Sequence, residues 1–550
     1  MPLETVTGRV TDRRQFLQGA VGLASATLLG SLTGCGDGGR PEARRPRPTV
    51  PSSASPSTTE PLDPAAWSVL ARSLDGTLVL PAAAGYAEAK LVYNLRFATA
   101  DPVAVAFCAT ATDVQRCVGF ARDHGLTPIA RSGGHSYAGY STGTGLVIDV
   151  SPMNTVTTDA GPMSAVIGSG TQLVDVYTAV AGAGMLLPAG SCPTVGIAGL
   201  TLGGGIGVVG RKYGLTCDNL LALDTVTADG RLLTSRADEN PDLFWASRGG
   251  GGGNFGIATS FTFGLHPMPE LALFTINWPW EAAGAVLGGW QEWTASAPDE
   301  LWSNCQLQSA GSDGLNVRIN GVYVGDAGGL TTVLQPLLDR AGTPTNQFVG
   351  PDSYLHAMLV EAGCEDLSVA QCHLSDPSTA GTLARSSFAA TSSYLTTAMT
   401  DAGVGTAVAA VEHLQDSAPA LGGGLVFDAY GGAINTVAPA ATAFVHRQEL
   451  CALQTSVSWG PATAPALVET AQAWLARTTA SLAPFVSRSA YQNYIDPTLV
   501  DWAEAYYGSN LPRLVELKRR YDPDDVFHFA QSIPTELGDR AVSAPASLPG

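Results

Sequence analysis

The chain has 550 residues, 45% of them hydrophobic and 14% charged, with a formal charge of −19 from 29 basic and 48 acidic side chains. So acidic a balance excludes a protein that binds nucleic acid through its phosphates, which needs cationic side chains to displace counterions. The apolar share excludes a disordered chain, and the length predicts at least two lobes.

At the N-terminus, Arg13-Arg14-Gln15-Phe16-Leu17 opens an uncharged stretch from Gln15 to Gly36. A twin arginine ahead of a weakly apolar, Gly/Ala-softened run reads as a twin-arginine export signal rather than a spanning helix. Leu32-Thr33-Gly34-Cys35 resembles a bacterial lipobox with Cys35 as the lipidated residue. Ordinary cleavage nearby is the alternative. Residues 1–35 are thus expected to be a signal and the protein extracellular, held at the membrane only by a lipid on Cys35. The Pro/Ser/Thr-rich stretch 36–64 predicts a disordered tether.

The folded body opens with a strand over Val103–Cys108 and a helix capped by Thr112, with Asp113 in its first turn and its end at His124 before Gly125. Thr127–Ala130 predicts a strand running into Arg131-Ser132-Gly133-Gly134-His135-Ser136-Tyr137. Further strands are expected at Leu146–Val150 and Ala165–Gly168, a helix at Leu173–Gly182, and extended chain at Met185–Pro188. Two glycine clusters follow, Pro193–Gly210 and Arg248–Gly256. Such runs bring backbone N–H groups close to a phosphate or a flat ring, although a flexible loop has the same composition. Neither cluster carries the phosphate-loop or the dinucleotide fingerprint. Farther on, Thr275–Trp280 and Asn316–Val324 alternate like strands, and Pro465–Ala480 has a helical period. Trp278, Trp280, Trp290, Trp293 and Trp302 suggest a sugar-stacking platform, with core packing the expected use for most of them. Cys364 and Cys372 predict a disulfide in an oxidising compartment, and no cysteine spacing fits a structural metal.

The segments RSGGHSYAGY (131–140), GSCPTVGIAGLTLGGGIGVVGRKYGLTCDN (190–219), Arg248–Gly256, YQNYIDP and FHFAQSI occur in the order found in berberine-bridge-enzyme-like FAD oxidases. The chain resembles these proteins, members of the vanillyl-alcohol-oxidase group with a PCMH-type FAD-binding fold, from about Pro81 to Pro534. The resemblance implies a two-domain α+β fold. Residues 65–266 and a returning segment 489–535 would form the FAD domain, 267–488 a substrate domain with an antiparallel sheet, and 536–550 a tail.

The resemblance also implies FAD bound covalently twice, to His135 through the flavin 8α carbon and to Cys192 through ring carbon 6. Arg131 would open a pyrophosphate cradle made by Ser132, Gly133, Gly134 and Ser136. Gly199, Gly203, Gly204 and Gly207 would lie against the phosphate and ribose, and Asn254 to Ile257 against adenine or ribitol. Val195 would leave room for oxygen beside the ring. In the YQNY motif Tyr494 matches the family's base, Asn493 a flavin contact, and Tyr491 lies beside the cofactor. Tyr137, closing the first motif, joins the catalytic set. The strand Gly424–Gly432 would project a second acid or base, with Asp428 and Tyr430 on one face and the choice between them open. The glutamate with which plant members close alkaloid rings is absent here.

The reaction so implied moves a hydride from a carbinol carbon of a sugar, oligosaccharide or glycosylated metabolite to flavin N5, then to O2 as H2O2. Oxidative cyclisation or amine oxidation of a small metabolite is the alternative chemistry. A non-catalytic, lipid-anchored sugar-binding protein is the alternative class, which an intact His135, Cys192 and Tyr494 set argues against.

Overall fold

The computed structural model describes residues 62–376 and 379–538. The export signal, Cys35 and nearly all of the tether lie outside the described residues. Asp63 caps the first helix, Pro64–Ser73, by accepting from the Ala65 N–H.

Two sheets carry the glycine-rich segments. A four-stranded sheet has the order Thr77–Val79, Ala104–Phe107, Leu146–Asp149, Pro128–Arg131, with its last three strands parallel. The parallel pairs are joined through the helix Ala111–Asp123, whose cap is Thr110 rather than Thr112. Thr110 is extended and stands three residues before Asp113, so its hydroxyl reaches the Asp113 N–H. Asp113 instead turns its carboxylate to the N–H groups of Asp75, Gly76 and Ala109. A second, antiparallel sheet has five strands, in the order Val156–Asp159, Ser164–Gly168, Ile257–Gly264, Leu220–Val226, Leu232–Arg236.

The third sheet has seven antiparallel strands, in the order Asn346–Asp352, Leu271–Trp278, Leu315–Val324, Leu301–Ala310, Gly422–Ala429, Cys451–Trp459, Ser387–Leu395. Its two faces separate by strict alternation. Cys305, Leu307, Val317, Ile319, Leu425 and Phe427 point into a core shared with the helices Ala283–Ser296, Ala327–Ala341 and Asp401–Ser417. Their neighbours Trp302, Asn304, Gln306, Arg318 and Asp428 point the other way, into a cavity. Trp278, Trp290 and Trp293 belong to the core and Trp280 packs on it. Trp302 alone of these five reaches the cavity. The helix expected to end at Ala480 runs Pro465–Leu482.

The segment after residue 489 turns back onto the glycine-rich part. Its helix Leu511–Tyr521 and the preceding Trp502–Tyr507 pack with Leu243, Trp245 and Phe255. Cys364 and Cys372 form a disulfide with Cα atoms 5.9 Å apart, both buried.

Candidate active site

A cavity of about 1020 Å³ runs between the glycine-rich loops and the polar face of the seven-stranded sheet. One wall is the loop after Pro128–Arg131. Arg131 does not extend freely; it is buried, ion-paired to Asp149 and bonded to Ala89 O, so it braces the loop from behind. Its Nη1 is buried and meets no partner among the described residues. The Ser132 hydroxyl donates to Ser169 O at 2.6 Å. Among the described residues, the N–H groups of Gly133, Gly134, His135 and Ser136 meet no protein acceptor, and all four residues line the cavity. A Cβ on Gly133 would stand 2.3 Å from Gly196 N, so glycine is what lets the first loop touch the second.

Thr194 joins the two loops chemically. Its hydroxyl meets His135 Nε2 at 2.8 Å, and it hydrogen-bonds the Cys192 thiol. The His135 ring stacks on Tyr93 at 3.9 Å, and burial lowers its pKa to about 3, so the imidazole is neutral. Burial pushes the Cys192 thiol up, opposed by hydrogen bonds from Thr194 and Val195. His135, Cys192 and Val195 all line the cavity, as do Gly199, Gly207 and Ile257.

Three of the expected cofactor residues stand back from it. A Cβ on Gly203 would collide with Asn493 Oδ1 at 1.9 Å, and one on Gly204 with the Phe444 ring at 2.7 Å, so these glycines serve the packing of protein on protein. Asn254 is fully buried, donating to Gly250 O and accepting from Ile533 N; it holds the glycine run in shape while Gly252, Gly253 and Gly256 face the space. Each departure has one cause: a glycine or a small amide in such a cluster answers to backbone approach, whether ligand or chain does the approaching.

The return segment closes the far side. Tyr491 Oη accepts from the N–H groups of Gly205 and Ile206 and from Asn493 Nδ2, which also donates to Leu200 O. The short turn Gln492–Tyr494 then carries Tyr494 into the cavity, stacked on Tyr137 with centroids 5.2 Å apart. The Tyr137 hydroxyl accepts from Gln454 Nε2 at 2.8 Å. Gln492 lines the cavity, and its Oε1 is buried without a partner among the described residues.

Asp428 lies opposite, on the strand Gly422–Ala429. Among the described residues no donor meets its carboxyl, and burial, with Glu361 adding to it, raises its pKa to about 7. Tyr430 falls past the strand's end. It turns into a packed cluster, with its hydroxyl 3.1 Å from that of Tyr394, and does not line the cavity. Period-two alternation stopped at Ala429, which is why the two residues do not share a face. Tyr494 also departs from expectation in its electrostatics. No cation depresses it; burial, then Asp428, Tyr137, Tyr491 and Tyr430, push its pKa well above the ordinary phenol value.

The donor set fits FAD. Unanswered N–H groups suit a pyrophosphate, and a neutral histidine and a thiol sit together at the junction with the substrate face. Thr194, Tyr93, Gln454 and Gln492 carry no assigned role in the sequence: Thr194 and Gln492 lie inside two of its motifs and Gln454 on an alternating strand, but Tyr93 has no local signal.

Known proteins agree with this geometry. Residues 102–236 match the family described as FAD binding domain, and 490–534 the one described as Berberine and berberine like. An FAD-linked oxidoreductase of Bacillus subtilis is 33% identical over 84% of this chain and 97% of its own. The structure of BBE-like 1 from Physcomitrella patens superposes with a TM-score of 0.78 at 31% identity, covering 86% of this chain and all of the other. A glucooligosaccharide oxidase from Acremonium strictum, whose FAD is described as 6-S-cysteinyl and 8α-N1-histidyl, gives 0.74 at 26% identity over 85% and 99%. With both family models matched and relatives of 33% and 31% identity aligned along more than four fifths of its length, this protein is a member of the berberine-bridge-enzyme-like FAD-linked oxidoreductases.

Proposed function

We propose that the protein is an oxidase that converts a carbinol carbon of a sugar, oligosaccharide or glycosylated metabolite to a carbonyl, with O2 reduced to H2O2. The observation that carries this reading is the unpartnered Asp428 carboxyl, poised near neutrality, facing a cavity that it shares with Tyr494. Removing a hydroxyl proton as the adjacent C–H bond breaks needs such a group. FAD, held by the loop N–H groups, His135 and Cys192, would supply the hydride acceptor and the route of the electron pair to O2. Tyr494 and Asp428 face the same cavity, and between them they take up the substrate's hydroxyl proton. Tyr137 holds the Tyr494 ring from one side, itself fixed by Gln454. Asn304, Gln306, Gln308 and Gln454 give the sheet floor amide donors and acceptors, the pattern that sugar hydroxyls require.

The reading includes covalent attachment of FAD at His135 and Cys192. The contact of His135 Nε2 with Thr194 supports this, because it leaves the neutral ring's Nδ1 free to form a bond. Precipitated in acid, the wild-type protein is expected to stay yellow, and Cys192→Ala to remain yellow through His135 alone. Colourless pellets from wild type would overturn the attachment. Peroxide release with mono- and oligosaccharides tests the reaction itself, and its absence across neutral and acidic sugars would overturn the oxidase reading. Export by the twin-arginine route, with Cys35 as a lipid anchor, belongs to the same proposal and is supported by the Arg13-Arg14 motif and by the Cys364–Cys372 disulfide.

The loop junction makes a separate expectation. Gly133→Ala adds a methyl where Gly196 N is 2.3 Å away, and backbone cannot yield as a flexible side chain does. The two loops must part, so flavin content per protein, read by visible absorbance, should fall to less than half of wild type while far-UV circular dichroism is retained.

A further inference from the structure

Arg318 projects from the strand Leu315–Val324 into the cavity. Its Nη2 donates to Gln306 Oε1 at 2.7 Å, and Gln306 Nε2 in turn donates to Asn304 and Asn320. Among the described residues that is its only hydrogen bond, and no carboxylate comes within 4.0 Å. The nearby acids are Glu361 and Glu365. Both oxygens of Glu361 are taken by Asn320 Nδ2, and burial drives both carboxyls toward the neutral form. The Arg318 Nε is cut off from solvent without a partner. A guanidinium whose Nε is cut off from water, whose one partner is neutral and whose other edge faces the cavity suits an oxyanion on that open edge.

Strand register places this charge relative to the chemistry. Gln306 stands opposite Arg318 on one side and Val426 on the other, and Asp428 follows Val426 by two residues on the same face. Arg318 is thus two strands across from Asp428 and two residues along, roughly 12 Å away between Cα atoms at about 4.8 Å per strand and about 3.4 Å per residue. The separation exceeds the span of one sugar ring, so a group bound there belongs to a neighbouring unit of the substrate.

We propose that Arg318 sets the substrate class: the site takes a glycoside or oligosaccharide bearing a carboxylate, held on the guanidinium, while a neutral carbinol of the adjoining unit reacts between Asp428 and Tyr494. The planar fork matches a carboxylate in shape as well as charge. This rests on the carbinol-oxidase reading, and the test separates the two. Full-length holoenzyme, wild type and Arg318→Gln, is titrated with digalacturonate, with its dimethyl ester and with a glucuronate-terminated disaccharide, following the perturbation of the flavin spectrum and, separately, oxygen uptake.

Wild type should bind the acids at least about tenfold more tightly than the ester, the scale of a hydrogen bond to a charged group. Arg318→Gln, which keeps an amide for Gln306, should bring the acids down to the level of the ester, and Arg318→Lys should restore part of the preference. Acid-selective, Arg318-dependent binding without oxygen uptake would sink the oxidase reading and leave this one standing. Equal binding of acid and ester by wild type, or an Arg318→Gln defect equal for both, would overturn the proposal and reduce Arg318 to a brace for Gln306.

Discussion

Tyr494→Phe should slow anaerobic reduction of the flavin by roughly 10²- to 10⁴-fold, the usual contribution of a positioned proton acceptor, with flavin loading retained. The substitution removes one oxygen and keeps the ring that stacks on Tyr137. A phenol held well above its ordinary pKa is not a phenolate at neutral pH, so Tyr494 can take a proton only as it gives one up. Asp428, whose pKa of about 7 suits it to hold a proton near neutrality, faces the same cavity. The reduction rate should therefore rise with pH through about 7 as Asp428 ionises, and Asp428→Asn should abolish that limb along with most of the rate.

Stability moves in the opposite sense. The Asp428 pKa is raised from its unfolded value near 3.9, so the folded chain holds the proton more tightly between the two values. Its contribution is full below the unfolded pKa and lost as pH climbs through about 7. Asp428→Asn should accordingly raise the thermal midpoint above pH 7 by a few degrees relative to wild type, with the difference closing in acid. Should Tyr494→Phe reduce at the wild-type rate while Asp428→Asn loses the limb, Asp428 acts on the substrate directly.

The parts of the site written in contiguous motifs were legible in the sequence: the Ser132–Ser136 loop, Cys192, and the turn that delivers Tyr494. Short-range spacing specifies them, because a cradle of N–H groups must come from consecutive residues. What spacing could not convey was which side of a glycine faces ligand and which faces protein. Gly207 lines the cavity and Gly203 touches Asn493, yet the two sit in one uniform run. Strand phase showed the same limit. Asp428 and Tyr430 are equivalent by alternation until the strand ends at Ala429, and no local residue pattern marks that end. Arg318, Glu361 and Gln454 come from separate elements, so only the assembled sheet gathers them. The tyrosine environment was the least legible of all, since a pKa depends on what burial brings near and no neighbour in sequence supplies it.

Lys518→Met should be the most destabilising single change in the return segment. The Lys518 amine is wholly buried, donating to Asp522 Oδ2 at 2.6 Å, to Phe527 O at 2.7 Å and to Asn254 O at 3.0 Å. Through these bonds one side chain on the helix Leu511–Tyr521 ties the five-glycine loop to the chain beyond the helix. Methionine matches the volume but leaves the buried Asp522 carboxylate with only the Val526 and Phe527 N–H groups. Removing one member of a buried ion pair costs about 3–5 kcal/mol, because the partner's charge stays desolvated and uncompensated. That is a large part of the roughly 5–15 kcal/mol by which a protein is ordinarily stable, so the urea midpoint should drop sharply. The double variant Lys518→Met/Asp522→Asn removes the nearer of the two carboxylates that the amine pairs, Asp525 Oδ1 lying farther off at 3.4 Å, and should recover part of the loss, since much of the cost is the unpaired Asp522 charge rather than the missing amine. A double variant no more stable than Lys518→Met would locate the cost in the freed Asn254 and Phe527 carbonyls, and the glycine loop would then be held by hydrogen bonds to Lys518 more than by its charge.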